Sequence, residues 1–136
     1  LTGKNVFSED TGLEVFSLNG EPGVKSARYA GDHKDFQANI DKLLLNLNEA
    51  TNRTARFRTV VSLIWNDQEY QFEGICNGSI IPTQKGDGGF GYDPVFVPDG
   101  STKSFAEMSM EEKNQYSHRK KAIVQLIQFL QQQTAL

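Results

Sequence analysis

The chain has 136 residues, of which 38% are hydrophobic and 23% charged, and it carries a net charge of −3. That length fits one domain over residues 1–136 with enough chain for a core, and the composition is that of a globular protein rather than a disordered one. The acidic balance argues against a broad nucleic-acid footprint, which needs a basic face, and no apolar run is long enough to span a membrane.

Val6-Phe7 reads as a buried strand end running into Ser8-Glu9-Asp10-Thr11-Gly12, a turn that carries acids. Leu13, Val15 and Leu18 continue as a helix or an extended segment, closed by Asn19-Gly20 and Pro22-Gly23. Residues 24–31 form a loop with Arg28 and Tyr29. Phe36, Ile40, Leu43, Leu44 and Leu47 recur at helical spacing, with Asp32 or Asp35 placed to cap the helix.

Arg56 to Trp65 and Tyr70 to Ile75 are rich in β-branched and aromatic residues, and Asn66-Asp67 between them signals a hairpin turn. A third strand is expected at Ser79-Ile80-Ile81, stopped by Pro82, then a glycine-rich loop over 83–89 and a short strand from Pro94 to Pro98. Ser104 with Glu107, and Ser109 with Glu112, both fit the capping-box pattern of short helical turns. Ser117 is placed to cap a final helix whose apolar face is Ile123, Leu126, Ile127 and Leu130. Helices alternate irregularly with strands around a central hairpin. The expected class is therefore α/β, a mixed central sheet flanked by helices.

Cys76 is the single cysteine, so no internal disulfide can form. A small core residue in a cytoplasmic protein is the expected reading.

The residues with chemical promise fall in three places. Gly88-Gly89-Phe90-Gly91-Tyr92-Asp93 puts an aromatic ring on a backbone that can approach a ligand closely. A ring held so can stack on a base, while Asp93 and Arg119 hydrogen-bond its polar edges. On its own, the stretch reads first as a plain turn, with one ring in the core and the other on the surface. Glu9 and Asp10, at a strand end, can hold Mg²⁺ through one or two oxygens while phosphates supply the rest, and Thr11 can bond a phosphate; a solvated acidic turn is the simpler reading. Lys113, His118 and Arg119 sit just before and at the start of the last helix, where cations are disfavoured by the helix dipole and are easier to explain if they face a ligand.

In order along the chain, Glu9-Asp10-Thr11-Gly12-Leu13, Asn19-Gly20-Glu21-Pro22-Gly23, Ser26-Ala27-Arg28-Tyr29, Gly89-Phe90-Gly91-Tyr92-Asp93-Pro94, and Ala106-Glu107-Met108 with Glu112-Lys113-Asn114 and Ser117-His118-Arg119 resemble the inosine triphosphatase-like family. The resemblance runs from near residue 5 to near residue 130. It implies a two-lobed fold with the active site in the cleft, a homodimer, and a Mg²⁺-dependent pyrophosphatase of non-standard purine nucleoside triphosphates. ITP, dITP or XTP would be cut to the monophosphate and pyrophosphate, which cleanses the nucleotide pool. By the same resemblance Asp10 is the general base and a Mg²⁺ ligand with Glu9 close by. Thr11, Phe90, Gly91, Tyr92, Asp93, Lys113, His118 and Arg119 bind substrate.

One departure stands out. The family opens with a strand and a Thr/Ser-x-Asn-x-x-Lys phosphate loop, followed by a helix bearing another metal-binding acid. Thr2-Gly3-Lys4-Asn5 does not fit that pattern. The chain resembles the family without its N-terminal portion, so an incomplete phosphate cradle, an exposed sheet edge and weak or no activity of this stretch alone are expected. A non-catalytic purine nucleotide-binding module is the alternative reading. A single-strand-binding domain using Phe90 and Tyr92 as stacking platforms fits the acidic charge poorly.

Overall fold

A computed structural model of the chain describes residues 5–32 and 35–134. Thr2-Gly3-Lys4, part of the stretch that departs from the family pattern, lies outside them. Five strands form one sheet in the order β2, β1, β3, β4, β5: β1 is Val6–Val15, β2 Pro22–Gly23, β3 Thr54–Trp65, β4 Gln68–Ile80 and β5 Phe96–Pro98. The helices are α1 (Phe36–Asn46), α2 (Met110–Asn114) and α3 (His118–Thr134).

The hairpin is the frame. Asn66 and Asp67 both take positive φ (51° and 67°), the conformation whose twist matches the flanking strands. A two-residue turn can only return the chain antiparallel, and β3 pairs with β4 from Thr54↔Ser79 to Trp65↔Gln68. All four pairings are antiparallel. The parallel component of the expected mixed sheet is thus not found among these strands, because none of their connections is a helical crossover between neighbours.

Two further expectations are corrected in the same way. Ser8–Gly12 is not a turn but the middle of β1, paired with Arg58–Ser62 of β3. Ser79-Ile80 is the end of β4 rather than a separate strand. The long partner strand β3 supplies a continuous ladder, and that overrides the local turn signals. Val6 and Phe7, expected to be buried, are 50% and 59% exposed. Pro94 lies in a 3-10 turn over Asp93–Val95, and the strand begins only at Phe96.

Alternation along β3 buries Ala55, Phe57, Thr59, Val61 and Leu63 on one face. This face carries two hydrophobic clusters. In the first, Leu13, Val15, Ala55, Phe57, Cys76 and Ile80 pack with Ile40, Leu43 and Leu47 from α1 and its C-cap, and with Val95, Phe96 and Phe105. In the second, Val61 and Leu63 pack under Ala122 and Leu126 of α3, with Phe129 against Tyr70 and Phe72. Burying one Leu, Ile or Phe stabilises by about 1.5–3 kcal/mol, so packing holds both helices to the sheet. Ile127, expected on the inner face of α3, is 48% exposed; Ala122 and Phe129 take the contact instead. Asp35 caps α1 by accepting from the Ala38 N–H at 3.1 Å. The opposite face of the sheet carries ion pairs, Arg56 with Glu14 at 2.7 Å and Arg58 with Glu73 at 2.6 Å.

Between the two clusters runs a row with no large apolar side chain: Thr11, Thr59 and Gly74 on neighbouring strands. The two threonine hydroxyls share a hydrogen bond of 2.8 Å. A Cβ on Gly74 would collide with the His118 carbonyl and lie 2.7 Å from the Ala122 nitrogen. Glycine here is what lets the first turn of α3 rest directly on β4.

Candidate active site

Strand alternation decides where the acidic pair points. Glu9 and Thr11 face the helices, and Asp10 faces the other way. Glu9 Oε2 meets Arg119 Nε at 2.6 Å. Asp10 is exposed and lines a shallow depression with Gly12, Glu14, Gly23, Val24, Arg58 and Val60. It makes no ion pair or hydrogen bond through its side chain among the described residues. Glu9 and Asp10 therefore do not converge here, and no three His, Cys, Asp or Glu side chains gather for a metal among the described residues. One free carboxylate is still a fitting donor for Mg²⁺, which takes one or two carboxylates and completes its shell with water and phosphate oxygens.

The Phe90 turn is built from glycines for a reason. Gly89 and Gly91 take φ of 72° and 61°, and a Cβ on Gly89 would run into the Asp93 carboxylate. Asp93 is buried and its Oδ2 accepts from the Phe90 N–H at 3.0 Å and from the Lys113 ammonium at 2.6 Å. Lys113 arrives on α2, whose start is fixed by the reciprocal bonds of Ser109 and Glu112. Its Nζ also lies 5.0 Å from the Phe90 ring centroid and 5.6 Å from that of Phe105, within range of a cation–π attraction. The outcome is a ring that is 70% exposed on a backbone that is locked.

Of the two aromatic residues beside Gly91, Tyr92 is the core one. Its hydroxyl donates to the Ser26 carbonyl at 2.6 Å, and burial raises its pKa above the usual phenol value. His118 opens α3 with its ring stacked on Phe57, centroids 5.0 Å apart and planes at 15°. Burial, then the charges of Lys113 and Lys121, hold its pKa down to about 4, so the imidazole is neutral at pH 7. Its Nδ1 is buried and has no hydrogen-bond partner among the described residues. Arg119, next to it, is largely exposed apart from its contact with Glu9.

The structure thus brings together Phe90, Asp93 and Lys113, with His118 on Phe57 close enough to feel the charge of Lys113, and separately pairs Glu9 with Arg119, with Thr11 on the same face of β1 as Glu9. Asp10 stands apart on the far side of β1. Sequence reading gave no role to Ser26 or Thr59. Thr59 had a legible signal, a polar residue at an inward position of an apolar alternation. Ser26 stood in one of the motifs of the resemblance, but its role was not readable, because its partners, Leu13, Gly23 and Tyr92, are fixed only by the fold.

Residues 1–129 match the Ham1 family. A protein of Christiangramia forsetii named dITP/XTP pyrophosphatase is 52% identical over 128 residues, covering 94% of this chain and 67% of that one. Its namesake from Porphyromonas gingivalis is 53% identical over 125 residues, or 91% and 64% of the two chains. The chain spans about two-thirds of the length of these curated relatives. Among solved structures, the Staphylococcus aureus Ham1 protein superposes with a TM-score of 0.93 at 46% identity, covering 98% of this chain and 70% of that one. A nucleoside-triphosphatase, dITP/XTP pyrophosphatase, of Mycobacterium abscessus gives 0.84 at 41% identity, covering 95% and 67%. Motif order, the match along nearly the whole length and a shared fold at this identity agree, and the chain belongs to the Ham1 family.

Proposed function

We propose that the protein is a hydrolase of non-standard purine nucleoside triphosphates, cutting ITP, dITP or XTP to the nucleoside monophosphate and pyrophosphate. The observation that carries this reading is Phe90: a large exposed ring held rigid by a buried carboxylate and a lysine, in a chain whose relatives are named for that substrate class.

In this reading the purine stacks on Phe90 in a pocket lined by Gly91, Tyr92 and Asp93. A 6-oxo purine presents an acceptor at O6 and a donor at N1, the reverse of adenine. Arg119, free to leave Glu9 because it is mostly exposed, donates to an acceptor on the ligand. Neutral His118 offers one donor and one acceptor without adding charge. A site that pairs with one pattern leaves buried polar groups unsatisfied with the other, which gives discrimination. Lys113 and Thr11 contact the substrate on the helix-covered face. Asp10 would take the proton of the attacking water, and Asp10 and Glu9, which leave β1 on opposite faces here, are the acids that would hold Mg²⁺. When bound, Mg²⁺ offsets phosphate charge and polarises the phosphoryl group.

A homodimer and a cytoplasmic location complete the proposal. The first rests on the family resemblance, and the second is supported by a single buried cysteine suited to a reducing compartment. No helix among the described residues is long and apolar enough to cross a membrane.

The test is pyrophosphate release with Mg²⁺ across ITP, dITP, XTP, GTP and ATP. Selective release from the first three is expected. Equal rates with ATP, or release of single phosphates, would overturn the reading.

A further inference from the structure

We propose that Ser26 is a positioning residue that ties the Phe90 turn to strand β1 and so sets the spacing between the base-stacking ring and Asp10. The inference rests on the hydrolase reading above.

The tie is a short chain of hydrogen bonds. Tyr92, two residues past Phe90, is 5% exposed and donates its hydroxyl to the Ser26 carbonyl at 2.6 Å. With its ring packed in the first cluster, that hydroxyl cannot swing away. The Ser26 Oγ then donates to the Gly23 carbonyl at 2.6 Å and accepts from the Leu13 N–H at 2.9 Å. Leu13 is three residues past Asp10 on the same strand. The junction has no slack: a Cβ on Gly12 would stand 2.6 Å from the Gly23 carbonyl oxygen and 3.5 Å from Ser26 Oγ. Gly12 and Gly23 are thus backbone against backbone, and Ser26 closes the contact.

A nucleoside triphosphate engages this protein at two points at once, the base at Phe90 and the phosphates at Asp10. Neither contact is made by Ser26. A misplacement of about 1 Å between two such points can cost about a hundredfold in rate. The hydroxyl of Ser26 and that of Tyr92 are the polar links that hold the two segments in register.

The separating measurement uses three ligands on the intact protein with Mg²⁺: ITP, which spans both points, inosine, which reaches only the base site, and tripolyphosphate, which reaches only the phosphate site. In Ser26→Ala, kcat/KM for ITP is expected to fall by about tenfold, the scale of one net hydrogen bond. Affinities for inosine and tripolyphosphate stay as in the unsubstituted protein, and Ser26→Thr, which keeps the hydroxyl, recovers most of the loss. Equal weakening of all three ligands would show a merely structural role and overturn the inference, as would unchanged ITP turnover in Ser26→Ala. Failure of the unsubstituted protein to release pyrophosphate from ITP would instead remove the hydrolase reading, and this inference with it.

Discussion

The Lys113 ammonium lies 2.6 Å from the Asp93 carboxylate, whose side chain is only 7% exposed. The same oxygen takes the Phe90 N–H. One buried pair therefore fixes both a charge and the backbone under the stacking ring. Lys113→Met strands that carboxylate without its cation, and breaking a buried pair from one side costs about 3 kcal/mol. Urea unfolding is expected to show a loss of that order together with weaker nucleotide binding. A midpoint unchanged from the parent would show that solvent already satisfies Asp93.

Phe90 carries the opposite expectation. Its ring is 70% exposed, so Phe90→Ala should leave the thermal midpoint nearly unchanged. Stacking of one base on an aromatic ring contributes about 1–3 kcal/mol, and affinity for inosine nucleotides should fall accordingly, by about tenfold or more. Calorimetric titration of the variant checks this; unaltered affinity would place the base elsewhere.

Gly74→Ala tests the seat of α3. The added methyl meets the His118 carbonyl and the Ala122 nitrogen, both backbone atoms that cannot rotate aside. Overpacking of this kind costs about 1–3 kcal/mol. Because α3 must lift from β4, His118 and Arg119 shift with it, so reduced turnover is expected alongside reduced stability. A variant as stable and as active as the parent would mean that the helix slides without penalty.

His118 gives a pH dependence. In the unfolded chain its ring takes up a proton near 6.5, but in the folded protein only near 4, owing to burial and then to Lys113 and Lys121. The folded-state pKa is depressed, so the stability that comes from keeping the ring neutral is complete above about pH 6.5. It declines as the pH falls from there to about 4, by up to about 3 kcal/mol in all. Unfolding of the parent and of His118→Phe, which keeps a ring against Phe57, should diverge across that window. Carboxylates titrate in both proteins and cancel in the difference. Parallel curves would refute the buried neutral ring.

Much of this was legible in the sequence where local chemistry and tertiary structure agree. Asn66-Asp67, Asp35 and the two capping boxes are each recognised by a few neighbouring residues, and each forms as read. Ser8–Gly12 misled because its turn-like residues are outvoted by ten consecutive pairs with β3, and no single-strand pattern carries that information. The helix face of α3 was misjudged by the inclusion of Ile127, since Ala122 is small enough to bring the helix close and rotates the contact toward Phe129. At the site, residue types were readable but directions were not. Neighbouring Glu9 and Asp10 look like one acidic pair in sequence, yet a strand sends them to opposite faces.

The row of Thr11, Thr59 and Gly74 divides the sheet into two packing territories, each with its own helix. Helix α3 belongs to one through Ala122, Leu126 and Phe129 and reaches the other through His118, stacked on Phe57. Such a division is expected to let α3 loosen while α1 and its cluster stay closed, at a fraction of the free energy of complete unfolding. In the proposed reading, a nucleotide held by Phe90 on one side and Arg119 on the other would span that seam, and its occupancy would turn two neighbouring units into one.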